Sequence, residues 1–201
     1  MTRILRTLVP THFPESGEVH VLLFGEAPGP RGADQSGIPF WGDRAGLLVY
    51  RALEGAGLAQ VPPEAYDLWD GARFRDLGLA PVLKGAALGN AFPSCPTKDG
   101  QTFRAPTDKE LKSPENLERL REDVATAAAR CPGTLRVITM GRRAAFILAK
   151  MEGLPAIDLQ ALPHPSAQGL LQAAPDKGRG CKLADLQEAW EQRLGALLRG
   201  E

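Results

Sequence analysis

The sequence predicts an α/β domain with a central, mostly parallel four-stranded sheet and helices on both faces. Three observations carry that prediction. Short apolar runs of strand length alternate with segments of helical period along most of the chain. The run Val21-Leu22-Leu23-Phe24 passes straight into Gly25, a long Gly/Pro-rich loop and an amphipathic helix. That order places ligand sites at the carboxyl ends of strands in α/β sheets. Further on, Leu135 to Met140, Gly141 and Arg142 to Met151 again read as strand, turn and helix.

The elements follow in order. Residues 1–17 carry Pro10, Pro14 and Gly17 and little apolar period, which predicts an arm packed on the domain or frayed, ahead of one domain over 18–201. Glu18 to Phe24 is the first strand. A helix from Arg44 to Ala56 puts Leu47, Leu48, Tyr50, Arg51 and Leu53 at near-helical spacing, and Gly57 stops it. Residues 58–84, with Pro62-Pro63 and the aromatics Tyr66, Trp69 and Phe74, read as short helical pieces. Gly85 to Phe92 is a second strand that carries Asn90, and 93–112 is a polar loop. Ser113-Pro114-Glu115 then supplies an N-cap, a first-turn proline and a first-turn acid. Leu117, Leu120, Val124 and Ala127 give that helix an apolar stripe as far as Arg130. After the third strand and its helix, Pro155 to Leu162 is a fourth strand leading to His164. The tail helix, Lys182 to Leu198, carries Leu183, Leu186, Trp190, Leu194 and Leu197 on one face.

Composition narrows the classes. A chain of 201 residues with 43% hydrophobic and 24% charged residues suits one globular domain with a sizeable core. No apolar run approaches the ~18 residues of a membrane span, and MTRILRTLVP is too poor in apolar residues for a secretory leader. A cytoplasmic monomer with no membrane partner is expected. The 24 basic and 24 acidic residues cancel, so any nucleic-acid contact must come from local patches. Cys95, Cys131 and Cys181 are odd in number and far apart, which argues against a disulfide framework.

The loop after the first strand carries the chemistry. It lacks both the GxGxxG and the GxxxxGK[ST] phosphate-binding patterns, and it holds two carboxylates, Glu26 and Asp34, with an aromatic, Phe40. Two acids and a ring on one loop point to a pocket for a flat, uncharged ring. The competing reading is a surface connection whose glycines and prolines only turn the chain.

These residues also carry a resemblance. Gly25-Glu26-Ala27-Pro28-Gly29, followed by Gly37-Ile38-Pro39-Phe40-Trp41-Gly42 and Ala45-Gly46-Leu47-Leu48, resembles the first motif of the family-4 uracil-DNA glycosylases. The Gly29-to-Gly37 spacing, Gly42-Asp43-Arg44-Ala45-Gly46 and Tyr50-Arg51-Ala52-Leu53 look more like family 5. The PGPxGxxQxGxPF core is similar to the single-strand-selective glycosylases of the same superfamily. Asn90 and His164-Pro165-Ser166 follow in the superfamily's order, so the resemblance spans about Val21 to Trp190. Families 4 and 5 hold an iron–sulfur cluster on four cysteines, including an N-terminal CxxC. This chain has three cysteines and none before Cys95, so no metal and no cofactor are expected.

The resemblance implies a DNA repair glycosylase that flips uracil, or another deaminated base, out of DNA and hydrolyses its N-glycosidic bond. His164 would then stabilise negative charge on the base, and Asn90 would read its edge, against the alternative of a strand-end Asn bonding its own backbone. Glu26 and Asp34 compete to serve the water, and either would alternatively cap the loop. Asp43 is read as the cap of the helix at Arg44. Phe40 would stack on the base or sit in the core under the loop, and Trp41 is open to the same two roles. Ala27 stands at a base-binding position where several branches place Asp or Asn. Ser166 and the loop after it offer an apolar wedge at Leu170 and Leu171, and a basic set, Lys177, Arg179 and Lys182, for phosphates. Two other readings stay open: a damaged-base or DNA-binding protein that does not cut, and a glycosylase for hypoxanthine or xanthine.

Overall fold

The computed structural model describes residues 3–5 and 8–201; residues 1, 2, 6 and 7 of the expected arm lie outside the described residues. In chain order its elements are β1 (Val21–Gly25), α1 (Ala33–Ser36), α2 (Arg44–Gly55), β2 (Ala59–Gln60), α3 (Pro63–Leu68), α4 (Gly71–Leu77), β3 (Val82–Leu83) and β4 (Ala86–Asn90). There follow α5 (Asp108–Leu111), α6 (Pro114–Ala129), β5 (Leu135–Met140), α7 (Arg142–Ala149), β6 (Ile157–Leu162), α8 (Ala167–Ala173) and α9 (Leu183–Arg199).

The main sheet has the order β4-β1-β5-β6, and each of its neighbouring strand pairs is parallel. A strand covered on both faces is apolar at successive positions, which is why β1 reads as an unbroken run. Val21 and Leu23 face one core with Leu48, Val49 and Leu53 of α2 and Trp190 and Leu194 of α9. Leu22 and Phe24 face the other, with Leu120 and Val124 of α6 and Ile147 and Leu148 of α7. The sheet is thus filled from both sides, as the sequence predicts. β2 and β3 add a separate antiparallel pair.

Several boundaries differ from the sequence reading. β1 begins at Val21 rather than Glu18, because Val19 and His20 bond to Arg130 and Gly85 before the ladder starts. The polar loop after β4 contains α5, closed by a capping box between Thr107 and Glu110. The segment after His164 begins with a helix, α8, capped by Ser166, whose Oγ accepts from the Gly169 N–H at 3.2 Å. In the arm, Val9 is buried and His12 pairs with Leu88 through N–H···O bonds of 2.7 and 2.9 Å.

Topology sets where a ligand site can form. The chain leaves β1 toward β4 on one side and leaves β5 toward β6 on the other. The loops after β1 and β5 therefore diverge and open a crevice at the strands' carboxyl ends.

Candidate functional site

Two joined cavities occupy that crevice. The smaller, about 220 Å³, is lined by Ala27, Ala33, Phe40, Asp43, Asn90 and His164, among others. The larger, about 630 Å³, extends over Glu26, Gly141, Arg142 and Gln172. Ala27, Phe103, His164 and Ser166 line both. The small cavity lies below the ~300–1,000 Å³ typical of drug-sized ligands and suits a single small ring.

Asn90 ends β4 at the floor of this cavity. It pairs in register with Gly25, the last residue of β1. It is 2% exposed, and its Nδ2 is buried with no hydrogen-bond partner. An unsatisfied buried amide is costly, on the order of 1–3 kcal/mol, and calls for a reason. The side chain shares its space with Phe40: a Cβ added at Gly25 would lie 2.7 Å from Phe40 Cε1 and 2.8 Å from Asn90 Oδ1. Glycine is thus required where the ring and the amide meet over the end of β1. Phe40 itself has φ +64°, a left-handed conformation that costs a non-glycine residue ~1 kcal/mol or more. The Tyr50 hydroxyl donates to Pro39 O at 3.0 Å and helps hold the strained segment. Phe40 both lines the cavity and belongs to the core, so its two sequence readings are not exclusive. Trp41 is wholly buried in an aromatic cluster with Tyr50, Trp69 and Phe74, and takes only the structural role.

His164 lies just past β6 and lines the same cavity. Its Nδ1 accepts from the Ser166 backbone N–H at 3.2 Å, so in the neutral ring the proton sits on Nε2. Burial pushes the imidazole pKa below its usual 6.5, and the nearby Glu26 carboxylate only partly offsets this. A neutral ring with an Nε2–H donor results.

The three acids of the motif separate. Glu26 lies on the wall of the larger cavity, and its Oε1 accepts from the Arg143 backbone N–H at 3.0 Å, at the start of α7. Asp34 is fully buried in α1, outside the lining of either cavity; the Leu5 N–H and Gln35 Nε2 donate to its Oδ2 at 2.8 and 3.1 Å. Its carboxylate ties the arm to the loop. Asp43 lines the small cavity. It does not cap α2 with its side chain, as the sequence reading expects. Its carboxylate turns back to the amides of Ala33, Gly32 and Gly29, and burial raises its pKa above 3.8 despite them. A Cβ at Gly29 would lie 2.5 Å from Asp43 Oδ1, so the glycines of the loop make room for this carboxylate. Trp69 Nε1 donates to Asp43 O at 2.7 Å, so the 58–84 segment, short helical pieces as the sequence predicts, helps to fix the acid. A helix-cap position in the sequence masks such a role. The cue was present in the glycines at Gly29 and Gly32, which only a close approach explains.

The segment after His164 departs most from expectation. Leu170 is 4% exposed and packs in the core cluster, because Ser166 starts a helix whose inner face it occupies. Its side chain is spent on the core and is not presented to the surface as the expected wedge would be. Leu171 is half-buried and folds against Gly178, where an added Cβ would lie 2.5 Å from its Cδ2. Ser166 lines both cavities. Lys177, Arg179 and Lys182 are exposed on the segment between α8 and α9.

Buried polar groups hold the carboxyl end of β4. Arg119 Nη2 donates to Asn90 O at 2.9 Å and Ala91 O at 3.1 Å, while its Nη1 pairs with Asp123 at 2.7 Å. Asp123 in turn accepts from the Thr11 hydroxyl of the arm at 2.7 Å. The iron–sulfur cluster that the resemblance implies does not fit these residues. Cys95 is buried in the loop after β4 with its thiol pKa pushed up to about 12, Cys131 is half-buried just past α6, and Cys181 is exposed before α9. Three thiols cannot supply four ligands.

Comparison with known proteins agrees with this architecture. A type-5 uracil-DNA glycosylase of Thermus thermophilus is 47% identical over 45 residues, 22% of this chain and 20% of that protein. One from Mycobacterium leprae is 36% identical over 76 residues, 38% of this chain and 33% of that protein. One from Mycobacterium bovis is 37% identical over 71 residues, 35% and 26% respectively. The chain thus spans a third or less of the length of the curated relatives it matches. The family model of the uracil DNA glycosylase superfamily matches residues 12–192, nearly the whole domain, with both cavities inside it. On that match, the chain belongs to the uracil DNA glycosylase superfamily.

Proposed function

We propose that this protein is a DNA glycosylase that takes a uracil, or another deaminated base, out of DNA and hydrolyses its N-glycosidic bond. The observation that carries the reading is the orphaned Nδ2 of Asn90 in a cavity sized for one ring. A carboxamide there donates to uracil O4 and accepts from N3–H, a pattern that cytosine inverts. Phe40 stacks on the ring, and Ala27 leaves space at the junction of the cavities.

Chemistry follows from the groups around that slot. As the C1′–N1 bond breaks, its electron pair moves onto the base, and charge develops at O2. The neutral His164 donates its Nε2–H there, a bond that strengthens in the transition state. The sugar passes through a cation, which Asp43 stabilises. Water attacks C1′ and Asp43 takes its proton, which then passes to the departed base anion, leaving neutral free base, an abasic site and Asp43 ionised again. Among the motif's acids, Asp43 is favoured for this role because it lines the small cavity with Asn90 and His164. Glu26 lines only the larger cavity and Asp34 lines neither. Lys177, Arg179 and Lys182 contribute phosphate contacts.

The test is single-turnover release of base from oligonucleotides bearing uracil, hypoxanthine or xanthine, beside equilibrium binding to the same DNA. Wild type is expected to release uracil, and Asn90→Ala to lose both affinity and choice of base. Selective binding with no base released overturns the enzymatic reading and leaves a damage-binding protein.

A further inference from the structure

With Leu170 in the core and Leu171 folded against Gly178, the expected wedge is spent on packing, so the side chain that stands in for an extruded base must come from elsewhere. We propose that Phe103 is that side chain, entering the stack beside the flipped nucleotide from a rigid loop after β4. The inference rests on the glycosylase reading above.

Phe103 is 47% exposed, and of the large exposed hydrophobics among the described residues it is the one that lines both cavities. Single exposed apolar residues are common; what distinguishes Phe103 is its half-exposed ring at the mouth of a ring-sized slot. Its loop is braced. Thr97 and Phe103 form a β-bridge, and Arg104 N–H donates to Pro96 O at 3.0 Å. Asp99 accepts from the Gln101 and Thr102 N–H groups at 2.9 and 2.6 Å. The Arg104 guanidinium grips both oxygens of Glu110 at 2.7 and 2.5 Å, and Glu110 closes the capping box of α5. The loop therefore presents Phe103 with little ordering left to lose on binding.

Charge on the same rim fits a nucleic-acid strand. Arg44 on the small cavity and Arg142 on the large one are both exposed and can reach phosphates on either side of the extruded nucleotide. An apolar ring that lines the same cavities as such cations matches the general pattern of a side chain that unstacks a base step while cations hold the backbone.

The consequence is a duplex-specific role. A single strand has no partner base to abandon and no hole to fill, so it gains little from the wedge. Full-length wild type, Phe103→Ala and Phe103→Trp are compared in single-turnover release of uracil from a U:G duplex and from the same oligonucleotide single-stranded. A 2-aminopurine beside the uracil reports unstacking in the duplex. Phe103→Ala is expected to slow duplex cleavage by ~10-fold or more, the scale of removing one base–aromatic stack, and to abolish the fluorescence rise. Its single-strand rate should stay within about threefold of wild type, and Phe103→Trp should restore the duplex rate. An unchanged duplex rate, or equal losses on both substrates, overturns the inference while leaving the glycosylase reading intact. Wild type that releases uracil from neither substrate overturns that reading, and this inference with it.

Discussion

Glu26 Oε1 accepts the backbone N–H of Arg143 at 3.0 Å, so a side chain from the loop after β1 caps the helix that follows β5. The bond spans the crevice where the chain's two crossovers diverge, and a Cβ on Gly141 would lie 2.5 Å from the same carboxylate oxygen. One residue thus clamps the loop after β1, which carries Ala27, Phe40 and Asp43, to the start of α7. Glu26→Ala is expected to cost about 1 kcal/mol of stability, the scale of a lost cap at a helix N-terminus. Glu26→Gln, which keeps an acceptor, should recover most of that loss in denaturant midpoint. Excision slowed ~10²-fold by Glu26→Gln at unchanged stability would instead make Glu26 a chemical participant.

Asp43→Asn should separate activity from stability. As the proposed acceptor of the water's proton, its loss should slow single-turnover excision by ~10²–10³-fold. Burial raises its folded pKa above 3.8, so the ionised form costs stability at every pH above that folded value. The variant should therefore melt higher than wild type at pH 7, and the gap should close as pH falls toward 3.8. A variant that melts lower at pH 7 would mean that the amides of Gly29, Gly32 and Ala33 outweigh the burial cost.

His164 should show its lowered pKa in the stability profile. Its folded value lies below 6.5, so the stability it contributes is complete above pH 6.5 and is lost as pH falls from there through the folded pKa. His164→Gln should remove that part of the pH dependence, read by chemical denaturation between pH 5 and 8. His164→Ala should slow excision ~10²–10³-fold, as loss of one aimed donor does. A wild-type profile that gains stability on acidification through this range would show that the folded state favours the charged ring.

Leu170→Ala should act on the fold and not on DNA. Truncating a leucine that is 4% exposed typically costs ~2–5 kcal/mol. Its affinity for uracil-containing duplex, measured well below the melting transition, should match wild type. Weakened DNA binding with normal stability would return the wedge role to α8.

Replacing Lys177, Arg179 and Lys182 together with Ala should flatten the plot of log affinity against log salt by ~0.9 for each phosphate the protein no longer neutralises. With zero formal net charge on the chain, local patches must supply this slope. An unchanged slope would assign the DNA backbone to the Arg44 and Arg142 rim.

Some of this protein was legible in its sequence because the cause was local. A β1 covered on both faces must be apolar at every position, so Val21 to Phe24 declared a central strand. Ser113-Pro114-Glu115 announced α6 because orphan amides and the helix dipole select those residue types at those places. The order of motifs put Asn90 and His164 at strand ends facing one crevice, and the fold carries them there. What the sequence left open was which of several chemically equal groups faces the cavity. Glu26, Asp34 and Asp43 are all acids in one loop, and only the path of that loop over Gly29, Gly32 and the aromatic cluster around Trp69 turns Asp43 inward and Asp34 away. The burial of Leu170 and the exposure of Phe103 have the same kind of cause. A leucine on a short helix is buried or exposed according to which face meets α9, and an aromatic in a polar loop is buried or presented according to how Asp99 and Glu110 fold that loop. Those are long-range packing decisions, made between segments far apart in the chain, and local residue pattern does not encode them.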